Sequence, residues 1–174
     1  MTTLIVILLG LLIGFYLYAK ERPDTFRLER SIIVNAPAEK IFPLINDFHS
    51  WANWSPWEKL DPNMQRTYEG TPSGVGTKYG WAGKGQVGTG SMEITKTESP
   101  SSVTIKLDFM KPFEAHNTTV FTLVSKDAGT EVVWSMEGSL DLMMKIMHIF
   151  MNMDKVVGAD FERGLVNLKE LAEK

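Results

Sequence analysis

Few side chains in this sequence are spaced to do chemistry. Its three histidines, His49, His116 and His148, lie far apart and show no metal-ligand spacing, so no metal site is expected. There is no cysteine, which removes disulfides, thiolate nucleophiles and cysteine-bound zinc. No G-x-S-x-G elbow is present for a lipase-like triad. The stretch GKGQVG, Gly83 to Gly88, matches the dinucleotide fingerprint by letter. That pattern has to open a helix, whereas the TGSMEITKTE that follows alternates like a strand. It reads as a hairpin loop, and no cofactor is expected.

Asp154 is the ionisable residue with the most telling neighbours. Met147, Phe150, Val157 and Phe161 share its side of a predicted helix at three- and four-residue spacing. A carboxyl group pointed into an apolar cavity has a raised pKa and can act as general acid or base. The competing reading is an aspartate at the edge of the stripe, paired with a cation or in water. His116 and Tyr79 are weaker candidates for the same role. Asp108, between Leu107 and Phe109 on an alternating stretch, reads as facing outward.

Apolar chemistry is better represented. WANWSPW, Trp51 to Trp57, holds three of the five tryptophans. Met143, Met144, Met147, Met151 and Met153 fall in one short run, and flexible thioethers suit either core filling or the wall of an adaptable pocket. Asn53-Trp54-Ser55 and Asn117-Thr118-Thr119 are glycosylation sequons by letter only.

The elements that must position these residues follow from patterning. The 174 residues suffice for one domain with a real core, and a formal charge of -3 gives no electrostatic reason to expect nucleic acid. Leu4 to Ala19 carries no charge and as a helix covers about 24 Å, slightly less than a hydrocarbon core of roughly 30 Å. A cleaved signal peptide is the rival, but MTT lacks a basic residue and Leu17 sits where a small one is preferred. Lys20, Arg22, Arg27 and Arg30 follow the apolar run and none precedes it. The positive-inside rule then gives a single-pass anchor in the cell membrane with the C-terminal domain in the cytoplasm. The expected division is a transmembrane anchor over 1–19, a linker over 20–25 and a globular domain over 26–174.

Within that domain FRLERSIIV alternates as a first strand, with Arg30 out of step with its apolar set. NAPAEKIFPLINDF is a short helix containing Pro43, and a second begins near His49. Six further strands are predicted between Met64 and Gly138, separated by hairpin-sized clusters of Gly, Pro, Ser and Asp. Leu140 to Ala172 reads as one long helix, apolar nearly all round in its first half.

The phrases FRLERSIIVNAPAEKIFPLINDFHSWANWSPWE, GVGTKYGWAG, GSMEI, GTEVVWSMEG and DFERGLVNLK, taken in order, resemble the polyketide cyclase/dehydrase-type branch of the START-related SRPBCC superfamily. The resemblance covers about Phe26 to Lys174. It implies an α+β helix-grip fold: a seven-stranded antiparallel sheet wrapped around a long C-terminal helix, with two short helices and a hydrophobic cavity between sheet and helix. It brings no common catalytic motif, so no catalytic residue is carried over, and the N-terminal anchor lies outside the family pattern.

On this basis the ligand-binding set is Trp51, Trp54, Trp57, Tyr79, Trp81, Phe109, His116, Phe121, Trp134, Met136, Met147, Met151 and Phe161. The tryptophan cluster either plugs one end of the cavity or forms its lip. The expected function is membrane-tethered binding of a small apolar or amphipathic ligand such as a lipid, an isoprenoid or an aromatic polyketide-like molecule. The alternatives are a cyclase or dehydratase using Asp154, and a ligand-free interaction module whose cavity is filled. The sequence carries no signal for oligomeric state.

Overall fold

The computed structural model describes residues 2–85 and 87–174. Met1, counted in the expected anchor, and Gln86, in the GKGQVG loop, lie outside the described residues. Helix α1 (Thr2–Lys20) leads into strand β1 (Thr25–Val34), helix α2 (Ala38–Asn46) and two 3-10 helices at Phe48–Asn53 and Pro56–Lys59. Six strands follow: β2 (Gln65–Glu69), β3 (Lys78–Ala82), β4 (Thr89–Glu98), β5 (Ser102–Lys111), β6 (Ala115–Lys126) and β7 (Gly129–Ser139). The chain closes with α3 (Leu142–Phe150) and α4 (Met153–Ala172).

The seven strands form one antiparallel sheet in the order β1-β7-β6-β5-β4-β3-β2. Successive strands from β2 to β7 are neighbours, as the hairpin-sized turns require, and β1 pairs with the last strand. Side chains alternate between faces, so one face collects Met92 and Ile94, Val103 and Ile105, Phe121 and Leu123, and Val132, Trp134 and Met136, all buried. α4 lies across this face with Phe161, Leu165, Leu168 and Ala172 buried against it. This is the helix-grip arrangement.

Two helical glycines let α4 come close. A Cβ on Gly164 would approach the Trp134 ring to 2.8 Å, and one on Gly158 would overlap the Arg30 guanidinium. The second approach explains the charge out of step in β1. Arg30 sits on the covered face, where the missing side chain at Gly158 leaves it room, and it hydrogen bonds to Asp154 and Glu162 of α4.

The single helix predicted over Leu140–Ala172 is divided in two. α3 stops at Phe150, the Met151 N–H bonds back to the Met147 carbonyl, and the Asn152 side chain accepts the Lys155 N–H at 3.0 Å. An asparagine in this cap position satisfies a donor at the start of a helix, so α4 begins afresh. α3 instead packs on the end of α1. The second short helix expected near His49 is a 3-10 turn, capped by Asp47 accepting the His49 N–H. Trp57, expected on a loop, lies in the 3-10 turn that follows Ser55. α1 is long and apolar enough to cross a membrane, and its side chains are exposed apart from Phe15, which is half-buried, and Ala19, which is buried.

Candidate functional site

Between the covered face of the sheet, α3 and the first half of α4 lies a cavity of about 850 Å³. Small-molecule pockets occupy roughly 300–1,000 Å³. The sheet supplies Tyr79, Trp81, Phe109, Trp134 and Met136, the 3-10 turns supply Trp51 and Trp57, and the helices supply Met147, Met151 and Phe161. Ten of the predicted ligand-binding residues thus line one space. A filled cavity, the premise of the ligand-free module, is not what the structure shows.

The remaining three are elsewhere. Trp54 is fully buried in the core behind the wall, its indole N–H donating to the Leu44 carbonyl at 2.9 Å. Phe121 is equally buried and stacks on Trp134 with ring centroids 4.7 Å apart. His116 belongs to the opposite face, because alternation along β6 turns its neighbour Asn117 inward. There its Nδ1 lies 2.7 Å from Asp108 and its Nε2 3.2 Å from Glu114, and hydrogen bonding to Asp108 raises the imidazole pKa.

Asp154 touches the rim of the cavity but does not meet the condition set for an acid or base. Its carboxylate is 65% exposed and both oxygens face Arg30. The carboxylate therefore stands in solvent against a cation, outside the apolar cavity that the acid–base reading requires. The other two acids on the cavity wall are engaged in the same way, Glu58 by Arg66 and Asp160 by Arg163.

The tryptophans answer to one another. Trp134 is stacked between Phe121 and Phe161, the latter at 4.0 Å, and meets Trp57 edge-on at 5.7 Å. Its indole N–H donates to Thr119 Oγ1 at 2.9 Å, and that hydroxyl donates on to the Ser135 carbonyl. Trp51 donates to the Ile45 carbonyl at 3.0 Å. Buried indoles need such partners, and here the donors are consumed inside the wall, leaving ring faces and edges toward the cavity. The WANWSPW segment is thus both plug, through Trp54, and wall, through Trp51 and Trp57.

Polar side chains interrupt the apolar lining. Glu58 accepts the Tyr79 hydroxyl at 2.5 Å on one oxygen and Arg66 Nε at 2.7 Å on the other, with its side chain only 8% exposed. Burial, reinforced by the hydrogen bond to Glu58, pushes the Tyr79 phenol far above its ordinary pKa, so it stays protonated as a donor. Asn117 is buried on the wall, and its Oδ1 has no hydrogen-bond partner among the described residues. At the α3 side, burial holds the His148 imidazole below its ordinary value, hence neutral near pH 7, against the Phe26 ring.

Glu58, Met64, Met92, Leu107, Asn117 and Thr119 line the cavity without having been singled out from the sequence. The signal for the last two was available: the alternation that turns Phe121 inward puts Asn117 and Thr119 on the same face. Glu58 had none, since its burial depends on a 3-10 turn.

Solved structures share this architecture. A protein from Chromobacterium violaceum superposes with a TM-score of 0.61 at 17% identity, covering 88% of this chain and 99% of its own. The di-domain ARO/CYC BexL from the BE-7585A biosynthetic pathway gives 0.65 at 13% identity over 90% of this chain and 52% of its own. StfQ, a di-domain ARO/CYC from the steffimycin biosynthetic pathway, gives 0.67 at 11% over 88% and 53%. The chain spans about half the length of these two di-domain proteins, and at such identities the likeness shows the fold. No curated protein matches the chain by sequence. A family model does: with residues 25–173 matched, the chain belongs to the polyketide cyclase/dehydrase and lipid transport family.

Proposed function

We propose that the protein is a membrane-tethered binder of one small apolar or amphipathic molecule, a lipid, isoprenoid or aromatic polyketide-like compound, held between the sheet and the C-terminal helices. The observation that carries this reading is the unfilled cavity of about 850 Å³ walled by indoles, phenyl rings and thioethers. All three acids on its wall are engaged by arginines, so the site is equipped to hold a guest by shape and apolar contact more than to move protons.

In this reading α1 is a retained anchor over residues 1–19, residues 20–25 are the linker and 26–174 the binding domain. The linker is short, so the cavity is held near the bilayer. Lys20 and Arg22 at the end of α1 favour placing the domain on the cytoplasmic side of the cell membrane.

The test is saturable quenching of tryptophan fluorescence by 9,10-dibromostearate added to the full chain in lipid nanodiscs. The reading predicts quenching that saturates at one probe per chain and is lost when Leu107→Glu and Val157→Glu together put two charges on the apolar wall. Quenching that is non-saturable, or unchanged in that variant, would overturn it. Intact mass of the membrane-extracted protein checks the anchor, which must include residues 2–19.

A further inference from the structure

α3 is apolar on both sides. Met144, Met147, His148 and Met151, at helical spacing, line the cavity. On the outer side Met143 is 58% exposed and Phe150 75%, the latter more than any other large apolar residue of the domain. A helix that is apolar all round belongs either in a protein core or in lipid, and α3 is not in the core.

Its position relative to α1 shows where it lies. The buried ammonium of Lys145 reaches the Lys20 carbonyl at 3.2 Å and the Asp24 carboxylate. One and a half turns on, the Phe150 ring meets Phe15 with centroids 5.8 Å apart. Residue 145 is thus level with 20, and 150 with 15. The two helices run antiparallel, with an equal five-residue rise of about 7.5 Å between the paired positions on each. Lys20 and Arg22, the latter bonded to the Tyr18 hydroxyl and stacked over its ring, mark the membrane surface, where tyrosines and basic residues collect. Phe15 and Phe150 then lie about 7.5 Å below it, within the ~5–10 Å to which interfacial helices sink. Phe113, Phe150 and Met151 are exposed and also line the cavity, so they form its rim.

The geometry points to α3 as a wedge in the headgroup–acyl boundary of the bilayer that α1 spans, with the rim at Phe150 and Met151 opening the cavity to the lipid, so that the guest is a chain-bearing lipid taken from that leaflet. This inference rests on the anchor and on the binding reading above. The bilayer is its occupant because the exposed side of α3 is continuous with the exposed apolar surface of α1.

The absence of cysteine makes the test clean. Single cysteines replacing Leu9, Met143, Phe150 and Val124 in the full chain are spin-labelled in phosphatidylcholine/phosphatidylglycerol vesicles, and collision rates with oxygen and with a water-soluble nickel chelate are compared. The expected order of depth is Leu9→Cys, Phe150→Cys, Met143→Cys, with the β6 control Val124→Cys fully in water. If Leu9→Cys is in the acyl region while Phe150→Cys matches Val124→Cys, the wedge is wrong and the anchor stands. If Leu9→Cys is also in water, the anchor reading fails and takes the wedge with it. For the route of entry, Phe150→Asp should slow transfer of dibromostearate from vesicles to the cavity; an unchanged rate contradicts entry at this rim.

Discussion

Asp154 and Arg30 face each other across the seam between α4 and β1, each carboxylate oxygen 3.1 Å from a terminal nitrogen of the guanidinium. The same arginine reaches the Asp154 carbonyl at 3.1 Å and Glu162 at 2.8 Å, so one side chain of the sheet fixes the first three turns of the helix that roofs the cavity. The pairing converts the strongest acid–base candidate of the sequence into part of a clamp. Asp154→Asn keeps the shape and removes the charge. With a carboxylate this exposed, the expected loss is about 0.5–1 kcal/mol in chemical denaturation, and guest binding is retained. Abolished binding at wild-type stability would restore Asp154 to the chemistry of the cavity.

Gly164→Ala tests how tightly α4 is seated. An alanine at an exposed helical glycine gains up to about 1 kcal/mol. Here the new methyl group meets the Trp134 ring, which is pinned between Phe121 and Phe161 and cannot yield cheaply. The sign should therefore reverse, to a loss of about 1–3 kcal/mol, with an altered near-ultraviolet dichroism from the displaced indole.

The hydroxyl of Tyr79 should ionise well above the ordinary tyrosine range in a spectrophotometric titration. Tyr79→Phe removes that late step and leaves Glu58 with Arg66 alone, at an expected cost of about 1.5–3 kcal/mol for a hydrogen bond to a charged group. Glu58→Gln should bring the late ionisation down, though not to the ordinary value, because burial persists.

On the face opposite the cavity, His116 gains a proton-stabilising partner in Asp108, so its folded pKa lies above the unfolded value of about 6.5. Its contribution to stability is then complete below that unfolded value and is lost as pH rises through the folded one. Proton NMR of the imidazole should show the raised pKa in the wild type and a return toward the ordinary value in Asp108→Asn. An unchanged pKa in the variant would show that Asp108 is not the cause.

The strands were legible because alternation survives wherever one face is buried, and all seven appear within a few residues of their predicted bounds. The ten residues that line the cavity followed from the resemblance, which implies a space between sheet and helix; Trp57, on a non-repeating turn, carries no periodicity of its own. The break at Asn152 was not, since a cap inside an apolar run carries no periodicity of its own. Arg30 looked like an error in its strand because its partners, Gly158 and Asp154, lie more than a hundred residues away. His116 lies on the opposite face, where the alternation that turns Asn117 and Phe121 inward already puts it, and only its Asp108 partner depends on the pairing of β5 with β6.

Native mass spectrometry of the full chain released from lipid nanodiscs addresses the open cavity most directly. One apolar guest per chain, present in the wild type and missing when Leu107→Glu and Val157→Glu are combined, is the predicted spectrum. A bare mass for the wild type, persisting after exposure to fatty acids, phospholipids, isoprenoid alcohols and aromatic polyketides, would contradict it.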